Sequence, residues 1–212
     1  THSGTECGAA LQGAERGTAI HAVLRYLELA PGDRIPDEDG IRDQIRRMAE
    51  HAMLTPREAA AMEPMTPAFA RFVRSELAER IRAADTAGRA FRETPFTLRF
   101  NAADIHRDQD PAGFGPDDAT LVQGIIDLWF EDPEADGIVL VDFKSDRLSG
   151  PDTEVARTLN ERYRVQLGLY AAAIERAFKK PVASRWIWLF DRGRGYAVEG
   201  AEPLELRTLR TI

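Results

Sequence analysis

The stretch GIVLVDFKSD, Gly137 to Asp146, decides how the chain is read. Ile138 to Val141 are apolar without interruption, the pattern of a strand buried on both faces. Asp142 and Lys144 follow at once. Residues two apart on a strand point to the same side, so a carboxylate and an ammonium emerge together at the end of a buried strand. Such charges are costly to bury unless they are paired or bind something.

The segment before it, TLVQGIIDLWFED (Thr120 to Asp132), reads as a second strand, joined to the first by a turn at PEAD. A register whose paired numbers sum to about 269 sets Asp127 directly opposite Asp142, with Cβ atoms ~5 Å apart. Two carboxylates that close repel each other unless a proton or a cation intervenes. A divalent metal bridging them resolves the conflict. Hard cations take oxygen ligands, and Asp127, Asp142 and the Phe143 carbonyl supply them. Lys144 then orients or deprotonates a water, or neutralises charge building on a phosphate. Such a set suits phosphodiester hydrolysis. Gly124 marks a bulge or room for another backbone to approach.

Working outward, LNERYRVQLGLYAAAIERAF (Leu159 to Phe178) reads as a helix with Tyr163, Leu167, Tyr170, Ile174 and Phe178 along one face. Gln166 and Tyr170 are four apart and share a side. Alone, they read as a core tyrosine with a glutamine at its edge. VASRWIWLF (Val182 to Phe190) and GYAVE (Gly195 to Glu199) are further strands, with Trp186 and Trp188 packing under a helix. AFRETPFTLRF (Ala90 to Phe100) is a strand with a bend at Pro95; its Glu93 is either a further acid of the site or a solvated strand residue, and the latter is the default. DQDPAGFGPDD (Asp108 to Asp118) is a loop.

Residues before Ala87 read as helical. One helix runs from about Ala14 to Leu29 and stops at Ala30-Pro31-Gly32. A second starts near Asp39 and ends before Thr55-Pro56. TPREAAAM (Thr55 to Met62) and TPAFARFVRSELAERIRAAD (Thr66 to Asp85) each open on a threonine N-cap followed by proline. In the first helix, His21 stands on the shoulder of the apolar stripe of Ile20, Val23, Leu24 and Leu27. It is either a core-edge histidine or a metal ligand, and the helix alone does not choose. Arg71, Arg74, Arg80, Arg82 and Arg89 form a moderately basic stretch that either touches DNA phosphates or, as the default, is a solvated, salt-bridged face.

The order of elements predicts an α/β chain with a mixed central sheet flanked by helices and an N-terminal helical segment. A single domain over 1–212 is expected, mainly helical over 1–87 and with the catalytic sheet and helix over 88–212. Composition bounds the rest. Cys7 is the only cysteine, which excludes an intrachain disulfide framework and a cysteine-rich metal site. A reducing cytoplasm is the natural compartment. No apolar run approaches a membrane span. The formal charge of −7 argues mildly against a stand-alone nucleic-acid binder. No phosphate-binding GxxxxGK[ST] loop, Gly-x-Ser-x-Gly elbow or HExxH helix occurs. The chain begins at Thr1, which reads as a domain cut from something longer.

GTAIHAVL, QGIID, VDFKSD and QLGLY, in that order and with a long hairpin between two of them, resemble the RecB-like branch of the PD-(D/E)XK nucleases. The likeness runs from about Arg16 to Glu199. Within the branch it is nearest to the C-terminal nuclease domains of AddA-type proteins in bacterial AddAB helicase–nucleases. The resemblance implies a restriction-endonuclease-like core and a metal-dependent deoxyribonuclease. It makes Asp127 and Asp142 metal-binding acids, Lys144 the catalytic lysine, and His21 a further ligand. Gln166 and Tyr170 become substrate-side residues near the active site. The name-giving Pro-Asp stands here as Ile126-Asp127, and Asp-Tyr-Lys-Thr as Asp142-Phe143-Lys144-Ser145. Neither change removes a metal-binding or proton-handling group.

The same resemblance implies Mg²⁺ or Mn²⁺ as cofactor, with Mn²⁺ the better match to an imidazole ligand. It implies single-stranded DNA, delivered by a helicase motor, as substrate. It also implies an AddB-like partner, a place in double-strand break repair, and a bacterial cytoplasmic setting. An acidic total charge is tolerable where a motor brings the DNA. The rival expectation is a catalytically silent DNA-binding or docking module of the same fold.

Overall fold

In the computed structural model, which describes residues 11, 13–30, 32, 34–101 and 119–199, strand β3 spans Gly137–Lys144. Its residues from Ile138 to Phe143 are all buried, as the unbroken apolar run requires. The chain order is α1 (Gly13–Tyr26), α2 (Glu38–Glu50), α3 (Pro56–Met62), a 3₁₀ turn (Glu63–Met65), α4 (Thr66–Val73) and α5 (Glu76–Thr86). Then come β1 (Ala90–Asn101), β2 (Ala119–Asp132), β3, α6 (Asp152–Phe178), β4 (Val182–Leu189) and β5 (Arg194–Ala197). The expected loop Asp108–Asp118 lies outside the described residues.

The five strands form one sheet in sequence order. β1 and β3 each run antiparallel to β2. The β3–β4 connection passes through α6, and the two strands run parallel. Ile138 N–H donates to the Pro181 carbonyl at their starts (2.9 Å), and Phe190 N–H to the Lys144 carbonyl at their ends (3.0 Å). A parallel pair needs such a crossover. β5 turns back on β4, with Val198 N–H donating to the Arg185 carbonyl at 2.9 Å. The sheet is therefore mixed, as the order of elements predicts.

The chain divides into two compact units. One comprises Thr1–Arg82, Phe143–Arg147 and Leu189–Arg194; the other comprises Ala83–Asp142, Leu148–Trp188 and Gly195–Ile212. In the first, the α1 stripe of Ala19, Ile20, Val23 and Leu24 is buried, and Leu27 beyond the helix is fully covered. Gln44 of α2 locks onto the chain after α1. It accepts from Glu28 N–H at 2.9 Å and donates to the Glu28 carbonyl at 3.1 Å. Thr55 caps α3 in a capping box with Glu58, and those bonds hold the Glu58 carboxyl below its usual range. Phe72, Phe143 and Phe190 cluster with ring centroids 5.3–6.2 Å apart.

Two helix expectations need correction here. Thr66 is not a cap: Met65 precedes the helix, and Thr66 is helical and 1% exposed. The single helix expected over Thr66–Asp85 is two. Ser75 Oγ donates to the Phe72 carbonyl at 2.7 Å and accepts from Ala78 N–H at 3.1 Å. A serine that satisfies the backbone in this way ends one helix and caps the next.

In the second unit, α6 begins at Asp152, a full two turns before the expected Leu159, and Tyr196 donates its hydroxyl to Asp152 at 2.8 Å. The β1–β2 pairing runs on through Pro95. This proline sits opposite Ile125 on an edge strand, where a missing N–H is tolerated. The irregular residue is Glu93, with φ +52°. Both tryptophans of β4 lie over Gly195 of β5, where a Cβ would come within 3.3 Å of the Trp186 ring. Among the described residues no helix is long and apolar enough to cross a membrane.

Candidate active site

Register builds the site. The β2–β3 ladder runs from Asp132↔Gly137 to Leu128↔Val141, the register anticipated from the hairpin, and ends one residue short of Asp127 and Asp142. In the β1–β2 ladder, Arg92↔Leu128 and Thr94↔Ile126 flank the position where Glu93 stands against Asp127. Glu93 and Asp127 thus share a rung of β1 and β2, and Asp142 follows Val141, the last residue of β3 paired with β2. The backbone pairing lapses there, on either side of Asp127. A glutamate at φ +52° is unusual for a side chain of that size.

Carboxylate oxygens of Glu93 and Asp127 lie within 4.8 Å of each other. Both residues are half-buried, and Asp142 is 1% exposed. All three bear on one phenol. Burial pushes the Tyr170 hydroxyl up to about 12, a hydrogen bond from Gln166 opposes this, and the charges of Asp142, Asp127 and Glu93 add to the rise.

Gln166 ties these parts together. Its amide nitrogen donates to Asp142 Oδ1 at 3.2 Å and to the Tyr170 hydroxyl at 2.6 Å. Tyr170 is buried and meets the Phe96 ring edge-on, with centroids 5.5 Å apart. A Cβ on Gly124 would come 2.8 Å from that ring, so the missing side chain makes room for Phe96 rather than for a backbone. The structure therefore aims Gln166 at a carboxylate and gives Tyr170 the buried position that its spacing alone predicted.

Lys144 closes β3 two residues after Asp142 and is half-buried. Phe143, between them, is buried with its ring among Phe72, Phe190 and His21. His21 is half-buried and stands edge-on to Phe143 at 6.5 Å between centroids. Nearer the start of α1, Arg16 reaches the Ser145 carbonyl at 3.5 Å, and a Cβ on Gly17 would meet Ser145 Oγ at 3.5 Å. The first turns of α1 therefore run beside the residues that follow Asp142.

The donor set fits a hard divalent cation. Carboxylate oxygens are the ligands such ions take, and acids this close are stabilised by positive charge between them. Glu93 is the residue that sequence reasoning under-weighted. Its place depends on the β1–β2 register, which no short turn fixes and no pattern in AFRETPFTLRF reveals.

A mixed sheet with a rung of acids and a lysine beyond it defines a class, and comparison with known proteins agrees. A family model of the PD-(D/E)XK nuclease superfamily matches residues 5–210, and the chain belongs to that superfamily. It is similar to proteins named as the A-type subunits of ATP-dependent helicase/nucleases. To that of Geobacillus kaustophilus it is 39% identical over 191 residues, 88% of this chain and 14% of the relative. To that of Desulforamulus reducens it is 36% identical over 184 residues, 85% of this chain and 13% of the relative. To that of Acetivibrio thermocellus it is 36% identical over 182 residues, again 85% and 13%. The chain thus spans 13 to 14% of the length of these relatives.

Proposed function

We propose that this chain is the nuclease module of a helicase–nuclease and hydrolyses phosphodiester bonds in DNA with a divalent cation. The observation that carries the reading is the pair of Glu93 and Asp127 carboxylates within 4.8 Å of each other, with Asp142 on the neighbouring strand β3 and Lys144 two residues further along it. Asp127 and Asp142 hold the ion, and Glu93 adds a third carboxylate beside Asp127. His21 and the Phe143 carbonyl complete the set; the edge-on contact of His21 with Phe143, next in the chain to Asp142, supports this. Such an ion supplies Lewis acidity toward a phosphoryl oxygen and acidifies a water.

The chain's own groups do the rest. Lys144 holds or takes a proton at its amine and offsets charge on the phosphate. Gln166 fixes the orientation of Asp142 through its 3.2 Å bond. Tyr170, held neutral at ordinary pH, anchors Gln166 from behind. Gln166 and Tyr170 border the path of the substrate strand.

Mg²⁺ and Mn²⁺ are the ions the oxygen-rich set favours, and the imidazole favours Mn²⁺. The substrate is single-stranded DNA passed on by a motor, and an AddB-like protein is the partner, in processing of double-strand breaks in a bacterial cytoplasm. The names of the relatives, which join helicase and nuclease, support this setting. The two compact units are read as one nuclease domain, because each is assembled from separate pieces of chain and β3 passes from one to the other.

The test is cleavage of a labelled single-stranded oligonucleotide by the 212-residue chain with Mg²⁺ or Mn²⁺, beside Asp142→Ala. Cutting that vanishes in the variant supports the reading. Cutting that persists points to another site, and binding without cutting points to a docking module.

A further inference from the structure

Helix α6 carries one stripe that climbs from the core to solvent. Tyr170, Gln166 and Arg162 follow one another at intervals of four, so they stand on one helical side. Tyr170 is buried, Gln166 half-buried and Arg162 exposed. The two inner members are tied to Asp142: Gln166 donates to its carboxylate and to the Tyr170 hydroxyl. The outer member is a guanidinium one turn away, with about 5–6 Å between Cβ atoms at that spacing. The neighbouring arginines lie off this stripe. Arg157 is five residues from Arg162 and so falls on another side of the helix. Arg164 is two residues from Gln166 and so points to another side of the helix.

We propose that Arg162 binds a backbone phosphate of the substrate strand, next to the phosphate being cut. The inference rests on the nuclease reading above and adds a residue to it. A strand approaching Glu93, Asp127 and Asp142 meets three carboxylates that repel its phosphates. An exposed cation one helical turn from Gln166, the group that holds Asp142, offsets that repulsion. Guanidinium suits the task, because its fork matches two phosphate oxygens at once and keeps its charge at any working pH. A phosphate contact positions the strand without reading its bases.

The test measures binding of a fluorescent oligothymidylate to the full chain in Ca²⁺ over a range of salt, with steady-state cleavage in Mg²⁺ alongside. Arg162→Ala is expected to flatten the plot of log affinity against log salt by about 0.7, the loss of one contact to a single strand. It should raise KM more than it lowers kcat. Arg162→Lys should restore the slope, since the charge returns. Arg157→Ala serves as the control and should match the parent. If the parent cuts and Arg162→Ala keeps its slope and KM, Arg162 has no such contact and the inference falls alone. If the parent neither binds nor cuts, the nuclease reading falls and takes the inference with it.

Discussion

Gln166 donates to Asp142 Oδ1 at 3.2 Å, joining the middle of α6 to the end of a buried strand. Asp142 is 1% exposed, so water cannot readily replace this donor. Replacing Gln166 with leucine is expected to cost about 10–100-fold in metal affinity or activity, the usual range for a residue that orients a ligand. Isothermal titration of Mn²⁺ into the protein separates the two readouts. Glutamate at the same position should be worse than leucine for Mn²⁺-free stability, because it adds a negative charge beside Asp142. An unaltered Mn²⁺ affinity in Gln166→Leu would remove its orienting role.

His21 tests the identity of the ion. Imidazole is a better ligand for Mn²⁺ than for Mg²⁺. The parent is therefore expected to cut at least as well with Mn²⁺ as with Mg²⁺. His21→Ala should lose more of its Mn²⁺ activity than of its Mg²⁺ activity, at matched thermal stability. Equal activity of His21→Ala with both ions, at the parent level, would return His21 to the helix edge as a packing residue against Phe143.

Tyr170 sets an alkaline limit. Its hydroxyl is raised from 10.0 to about 12, first by burial and then by Asp142, Asp127 and Glu93 against the opposing bond from Gln166. The folded state thus keeps a proton that the unfolded chain has released. Stability from this group is whole below pH 10 and is lost as pH rises toward about 12. Urea midpoints followed across that window in metal-free buffer should fall faster in the parent than in Tyr170→Phe. In Asp127→Asn the phenol should titrate lower, since one of the charges that raises it is gone. Parallel midpoint curves for the parent and Tyr170→Phe would contradict the shift.

The fold was legible where periodicity or a short turn set it. The run Ile138–Val141 demanded a doubly covered strand, and the PEAD turn fixed the β2–β3 register as far as Leu128 and Val141. Other features depended on contacts that no local pattern records. Ser75 broke a helix because its hydroxyl reached Phe72 and Ala78. Glu93 came to stand against Asp127 through a ladder between strands far apart in the chain, so its alternating neighbours gave it the look of a solvated residue. Gln166 and Tyr170 were visible as a pair, but only the coordinates show that the pair supports Asp142.

Gly124 offers a test of the packing behind that support. A Cβ there would lie 2.8 Å from the Phe96 ring, closer than carbon atoms pack. The ring must move, and it rests edge-on against Tyr170. Gly124→Ala is therefore expected to destabilise the fold by about 1–3 kcal/mol, the range for overpacking a filled site. Because Tyr170 anchors Gln166 and Gln166 holds Asp142, the substitution should also weaken Mn²⁺ binding without touching a ligand. Pairing it with Phe96→Leu, which vacates the ring's edge, should recover part of both losses. A Gly124→Ala protein with the parent's urea midpoint and Mn²⁺ affinity would show that Phe96 does not transmit strain to the carboxylate.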